Sequence, residues 1–386
     1  MAFTPDFLAG FEDREANADQ INEGKWWLDS GTYSYVTTPT FHSAYALEFN
    51  MSAATAHVEM HADITAAGRW GGTENNAISF AFHLNIETLP TSGLFMYLFR
   101  NQDTSVNHGR CRINDSGQLE IVDSGGTIRD TSSALSTGTW YFIVVFQDTT
   151  NGTTVKIYDT DTDLIVDTIA YTGEKRAPHE TFLGPITTST GKYQIDNVMV
   201  QTGGLSQNPF DDYGTSRLAI NPIVPTGAGA DTDQDSGVFS DVDEFPNDGN
   251  TTYVQSDNSP DPSNSTFVHT GTAQLTSQVK TIHSVQVNLH SRWSASSVAN
   301  TGLRWRQGST VINESTMQPS STIFQWQGIV RDTDPDAAAW TAALLDSLEF
   351  GFYNTGNITR TARFSNTWLE VLYSFGGGMT QAIIIA

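Results

Sequence analysis

The 386-residue chain has a single cysteine, Cys111, so it can form no internal disulfide. Cys111 lies in "GRCRIND", a short strand-like run, and reads as a small buried hydrophobe. Positive charge is scarce as well: 19 lysines and arginines stand against 43 aspartates and glutamates, a net charge of −24. Such a surface repels a phosphate backbone, so no nucleic-acid partner is expected. No apolar run approaches the roughly 18 residues that a membrane-spanning helix needs, and no membrane insertion is expected. The opening residues, "MAFTPDFLAGFEDRE", have neither a basic start nor an apolar core, which predicts no secretory leader and synthesis in a cytoplasm. Long helical periodicity is also missing. Only 16% of the residues are charged, and Ser, Thr, Asn and Gly fill the gap. That mixture suits short strands joined by many loops.

Strand patterns are dense from Gly10 to Val200. In "AISFAFHLNI" (Ala77–Ile86), Ile78, Phe80, Phe82 and Leu84 alternate onto one face. "GLFMYLF" (Gly93–Phe99) and "WYFIVVF" (Trp140–Phe146) are apolar on both faces, the mark of a central sandwich strand. Asp115-Ser116-Gly117 and Asn151-Gly152 read as hairpin turns. "LIVDTIAY" and "YQIDNVMVQ" close the series. A loop-rich stretch, Thr202–Ser216, then shifts the composition. Beyond it, "IHSVQVNLHSRW" (Ile282–Trp293) alternates, with Val285, Val287, Leu289 and Trp293 one way and Ser284, Gln286, Asn288, His290 and Arg292 the other. This predicts a sheet with one buried and one wet face. Pro335 followed by "AAAWTAALLDSL" predicts one helix over Asp336–Ser347.

The expected fold is all-β, with two antiparallel, jelly-roll-like sandwiches in tandem. Their bounds are residues 1–203, a linker at 204–216, a second sandwich at 217–375 and a tail at 376–386.

Ordered motifs carry a resemblance. "GFEDR", "YALEFN", "INDSGQLEIVDSGGT", "STGTWYFIVVF" and "YQIDNVMV" make the first 200 residues similar to laminin-G-like, concanavalin A-like jelly rolls of phage structural proteins. "DVDEFPNDGNTTYVQS", "IHSVQVNLHSRW", "RDTDPDAAAWTAALLDSLEFGF" and "TWLEVLYS" resemble a module joined to that jelly roll in tailed-phage virion proteins. The resemblance implies a structural component of a phage particle, made in the host cytoplasm and located in the virion. No coiled-coil heptads or β-helix repeats are visible, which tilts the expectation toward head or neck decoration. The alternative is a tail fibre or spike, or an adhesin contacting host glycans.

No catalytic constellation with recognisable spacing stands in the sequence. Glucanases of concanavalin A-like fold carry Glu-x-Asp-x-x-Glu, and a retaining glycosidase holds its carboxylates about 5–5.5 Å apart. Here Glu59 and Asp63 share a strand face but stand roughly 13 Å apart on an extended strand. The chain is therefore read as a non-enzyme without a cofactor.

Two aspartate series are candidate calcium ligands: Asp159, Asp161 and Asp163, and Asp231, Asp233 and Asp235 in "DTDQDSG". Aspartates also form turns by bonding nearby amides, and a turn is the preferred reading of both. His57, Glu59, His61 and Asp63 could share a cation, although a solvated strand face is the preferred reading. Trp26, Trp27 and Trp70 are candidate sugar platforms, against core packing as the simpler reading. In the tail "FGGGMTQAIIIA", Ile383, Ile384 and Ile385 form an uncharged β-branched run that would aggregate if left exposed. The run can dock on its own domain or as an added strand on a second copy; the second is the preferred reading and predicts a homo-oligomer, taken as a trimer, bound to other virion proteins.

Overall fold

The computed structural model describes residues 7–10, 27–30, 33–43, 45–50, 57–60, 77–102, 107–148, 150–173, 180–184, 190–202, 215, 217–243, 251–256, 263–275, 279–293, 300–316, 324–354 and 362–375. These residues form four antiparallel sheets, stacked as two β-sandwiches, in the all-β class the alternation predicts. Sheet I runs Ile165–Tyr171, Gly152–Asp159, Trp140–Asp148, Ala77–Thr88, Lys192–Thr202, Ala46–Asn50, Tyr33–Val36, with Phe7–Ala9 also paired to Lys192–Thr202. Sheet II runs Ile128–Ala134, Gln118–Val122, Asn107–Asn114, Phe95–Gln102, Glu180–Leu183, His57–Met60, Trp27–Ser30. Sheet III runs Gln234–Ser236, Val254–Ser256, Ala362–Phe375, Val279–Trp293, Gln325–Arg331, with Leu218–Ile223 also on Ala362–Phe375. Sheet IV runs Gly227–Thr232, Ser263–Val268, Leu348–Asn354, Thr301–Gln307, Thr310–Asn313.

The strand Trp140–Asp148 shows how sequence becomes layer. All nine residues are buried. Tyr141, Ile143 and Val145 enter the core between sheets I and II, beside Phe80, Phe82 and Leu84 and opposite Leu98, Ile113 and Ile121. The hairpin after it closes through Asp148, whose carboxylate accepts from the amides of Thr150 at 2.9 Å and Asn151, and from Asn151 Nδ2 at 2.7 Å. Gly152 follows with φ of 82°, where a Cβ would lie 2.2 Å from Tyr171 O, so glycine is required.

Sheets III and IV enclose a second core. Val285, Val287, Leu289, Leu369 and Val371 meet Phe267, Leu303, Trp305 and Phe350, while Phe352 stacks on Phe364 at 3.5 Å. Sheet I also packs on sheet III, through Leu8, Ala81, Phe142, Val144 and Met199 against Leu218, Ile220 and Leu372. The order of layers is thus II, I, III, IV, and the two sandwiches share a buried joint.

That joint corrects the expected wet face. Ser284, Gln286, Asn288 and His290 are all buried, between 0% and 3% exposed. Alternation identified their face, but burial against the N-terminal half replaces solvent with protein. The predicted helix is also shorter, Ala342–Asp346, with Thr341 as its cap accepting from Leu344 N at 3.2 Å. Asp334 claims the residues before it: its carboxylate accepts from Ala338 N at 2.7 Å and its own N–H donates to Ala338 O at 2.9 Å. Side-chain bonding of this kind competes with the helix, and Trp340 buries instead, its indole donating to Arg331 O at 3.0 Å. "GLFMYLF" begins later than expected, as the strand Phe95–Gln102, with Leu94 exposed before it. Of the expected linker at 204–216 only Thr215 is described, and the tail at 376–386 lies outside the described residues.

Candidate functional site

The densest polar chemistry lies at the joint between the sandwiches. Phe7–Ala9 pairs by backbone with Val198–Val200, in the register Leu8 to Met199. Both backbone groups of Leu8 meet one side chain: its N–H donates to Gln286 Oε1 at 2.9 Å, and Gln286 Nε2 donates to its carbonyl at 3.2 Å. Gly10 N donates to Glu370 Oε1 at 3.1 Å, and Gln286 Nε2 also reaches Glu370 Oε2 at 2.8 Å. Asn288 accepts from the Trp326 indole at 3.0 Å. Polar groups this deep are costly unless bonded, and this network supplies the bonds.

A second knot forms where the register of Lys192–Thr202 slips between Asp196 and Met199. Asn197 takes φ of 50° there, a conformation asparagine tolerates better than most residues. Its Oδ1 accepts from Ile220 N at 2.6 Å and its Nδ2 donates to Phe41 O at 2.8 Å. Asp196 accepts from Phe41 N at 2.8 Å, from Asn197 N at 2.7 Å and from the Ser43 hydroxyl. Burial still pushes its carboxyl up to about 8, against those bonds. Nearby, the His42 ring lies 3.9 Å from Phe375, and burial lowers that imidazole to about 4.

The first aspartate series belongs to the same joint. Asp159 accepts from the amides of Asp161 at 2.9 Å and Thr162 at 2.8 Å, which makes the turn the residue type suggested. Asp163, at φ of 62°, accepts from Thr215 Oγ1 at 3.0 Å and pairs with Arg217 Nη1 at 3.4 Å. Arg217 also donates to the carbonyl oxygens of Thr160, at 3.2 Å, and Asp161. The series therefore ties the chain entering the second sandwich to a turn of the first.

In the second series, Asp231 is held by two guanidinium groups, Arg304 at 2.9 Å and Arg306 at 3.2 Å. Asp233 donates its amide to Asn264 O at 2.9 Å, and the Asp235 side chain lies outside the described residues. Among the described residues no three His, Cys, Asp or Glu side chains converge as metal ligands. Of the strand His57–Met60 only the backbone is described, as for Trp27, and His61, Asp63, Trp26, Trp70 and Ile383–Ile385 lie outside the described residues. Cys111 is buried as expected, and burial pushes its thiol up. No helix among the described residues is long and apolar enough to cross a membrane.

The joint's own residues escaped the sequence reading. Gln286 and Asn288 appear there only as polar members of an alternating strand. Asp196 and Asn197 sit inside "YQIDNVMV", where a polar pair flanked by apolar residues is the one visible signal.

No family model matches the chain, and no curated protein does. Among solved structures it is similar to the Trypanosoma rangeli sialidase bound to 2,3-difluorosialic acid, at 11% identity over 50% of this chain and 31% of that one, TM-score 0.37. It is similar to the receptor-binding domain of a botulinum neurotoxin C/D mosaic, at 14% identity over 49% of this chain and 45% of that one, TM-score 0.34. It is also similar to a protein of unknown function from Shewanella oneidensis, at 16% identity over 52% of this chain and 88% of that one, TM-score 0.37. The chain spans 27% to 31% of the sialidases' length, and the likeness is one of fold. These neighbours correct one expectation: with sialidases among the structures it resembles, the exclusion of enzymatic activity is withdrawn. No activity is assigned in its place.

Proposed function

We propose that the chain is a structural component of a tailed-phage particle, carried on the exterior as a head or neck decoration and present as a homo-oligomer, a trimer in this reading. One observation carries the proposal beyond the ordered motifs: the two sandwiches are joined through a buried core and a bonded polar face. A component exposed on a particle gains from such a joint, because separating the halves would strip both apolar and polar partners at once.

The test is to image purified particles labelled with an antibody against this chain. Label at the head or neck supports the proposal. Label at fibre tips moves the chain to the adhesin reading, with host glycans as partners. Particles that carry no label refute the proposal.

A further inference from the structure

Large apolar side chains exposed among the described residues stand singly, with one exception. Leu164, Ile165 and Val166 are consecutive and 67%, 53% and 38% exposed, whereas Leu94, Ile128, Val238 and Val268 are separate in sequence. A single exposed apolar residue is ordinary, and a run of three calls for a cover. The run opens the strand Ile165–Tyr171, which stands last in sheet I with a paired strand on one side only.

Further along, that open edge is capped by carboxylates. The amide of Thr168 donates to Asp167 Oδ1 at 2.8 Å, and the amide of Ala170 donates to Asp130 Oδ2 at 2.8 Å. Charges placed so keep an added strand away from an edge. At the run itself the pairing with Gly152–Asp159 slips: Ile165 and Asp167 have register partners there and Val166 has none. Successive residues of a strand point to opposite faces, so an extended segment laid along 164–166 meets apolar side chains on both.

The last described strand, Ala362–Phe375, ends beside this run. Phe375 N donates to Arg217 O at 3.2 Å, and the Arg217 side chain pairs with Asp163 at 3.4 Å and donates to Thr160 O at 3.2 Å. Leu164 comes next in the chain, its carbonyl accepting from Asp159 N at 3.0 Å. One arginine thus touches both the end of the strand and the turn that presents the run. Ile383 lies eight residues beyond Phe375, and eight extended residues span at most about 26–29 Å. Residues 376–386 carry no charged side chain, in a chain of net charge −24. A neutral segment approaches an edge lined with aspartates without repulsion.

We infer that Leu164, Ile165 and Val166 are the acceptor for Ile383–Ile385 of a second copy of the chain, added as a strand at the open end of sheet I. The exchange rests on the reading of the chain as a homo-oligomer. Strand end and acceptor lie on one flank, so copies set flank to flank give and receive a tail over a short span, and Gly376–Gly378 allow each tail to depart toward its neighbour. Around a three-fold axis each copy gives its tail to one neighbour and takes that of the other, which leaves no acceptor uncovered.

The test is disulfide mapping on the full chain. Cys111 is buried with its thiol pushed up, so it takes no part. Leu164→Cys and Ile384→Cys chains, co-expressed under different tags and oxidised, are expected to form a covalent heterodimer. Val238→Cys, at a position 55% exposed in the second half, should form none in place of Leu164→Cys. Ile165→Asp, at an exposed position, should keep the circular dichroism of wild type yet weaken self-association about tenfold or more in sedimentation. Deleting Met379–Ala386 from that variant should add nothing further. A bond between residues 164 and 384 within one chain, with no heterodimer, overturns the exchange. An oligomer that forms no such bond and ignores Ile165→Asp overturns the acceptor and leaves the homo-oligomer standing. A wild-type chain that sediments as a monomer takes down the oligomer reading itself, and the exchange with it.

Discussion

The side-chain amide of Gln286 holds both backbone groups of Leu8, a residue 278 positions away, with bonds of 2.9 and 3.2 Å. It bonds the first strand as a neighbouring strand would. Replacing Gln286 with Leu keeps the volume but leaves Leu8 and Glu370 short of partners. The expected loss is about 1–3 kcal/mol, read from denaturant unfolding, with faster amide exchange at Leu8 and Gly10. An unchanged midpoint would show that the amide contributes nothing net.

The turn at Asp159–Asp163 is expected to work without metal. Asp161 offers the joint its carbonyl and its amide, not its carboxylate. Asp161→Asn should therefore leave Tm unchanged, and chelator or added calcium should not separate it from wild type. Asp163→Ala removes the partner of Arg217 and Thr215 and should cost about 1 kcal/mol. A calcium-dependent Tm in wild type that Asp161→Asn abolishes would restore the metal reading.

Stability should peak near neutral pH. Burial holds His42, His269 and His283 at about 4, so the unfolded chain, with histidines near 6.5, takes up protons that the folded chain refuses. Their contribution is full above about 6.5 and is lost as pH falls toward about 4. Asp196 acts in the opposite sense: raised to about 8, it holds a proton that the unfolded chain has released, and its contribution is lost as pH rises from about 4 to about 8. Each group supplies at most about 1.4 kcal/mol per pH unit. Three histidines outweigh one aspartate below about 6.5, and the aspartate acts alone above it. Asp196→Asn should flatten the alkaline limb in urea midpoints taken from pH 5 to 9. A limb of unchanged slope would clear Asp196.

A specific protease site inserted among residues 203–214 tests whether the joint holds without a covalent link. The cut halves are expected to elute together in gel filtration and to part only in denaturant, because sheets I and III share the cluster of Leu8, Phe142, Val144, Ile220 and Leu372. Separation in plain buffer would mean that the linker, not the interface, keeps them together.

The tail bears on assembly. Three glycines, Gly376–Gly378, precede Ile383–Ile385. Deleting Met379–Ala386 is expected to lower the oligomer mass in sedimentation while far-UV circular dichroism stays the same. Equal mass before and after deletion would leave the tail no part in assembly.

Layers and turns were legible in the sequence because they depend on local pattern. Asn151-Gly152 and Asp115-Ser116-Gly117 close hairpins, and Phe80, Phe82 and Leu84 face the first core. The joint was not legible for a physical reason. A buried polar face and a solvated one share the same alternation, and only the partners of Gln286, Asn288 and Glu370 tell them apart.

The joint also sets a clock on biosynthesis. The N-terminal sandwich has all its strands once Thr202 has left the ribosome, and domains fold in that order during synthesis. The outer surface of sheet I, with Ala81, Phe142, Val144 and Met199, then waits for a cover whose central strand, Ala362–Phe375, is the last to be made. At about 5–20 residues per second, the nascent protein presents that oily surface for roughly ten seconds or more, long enough to recruit a chaperone. A transcript truncated between residues 203 and 361 yields a product whose first sandwich has all its strands and whose sheet I remains uncovered and adhesive.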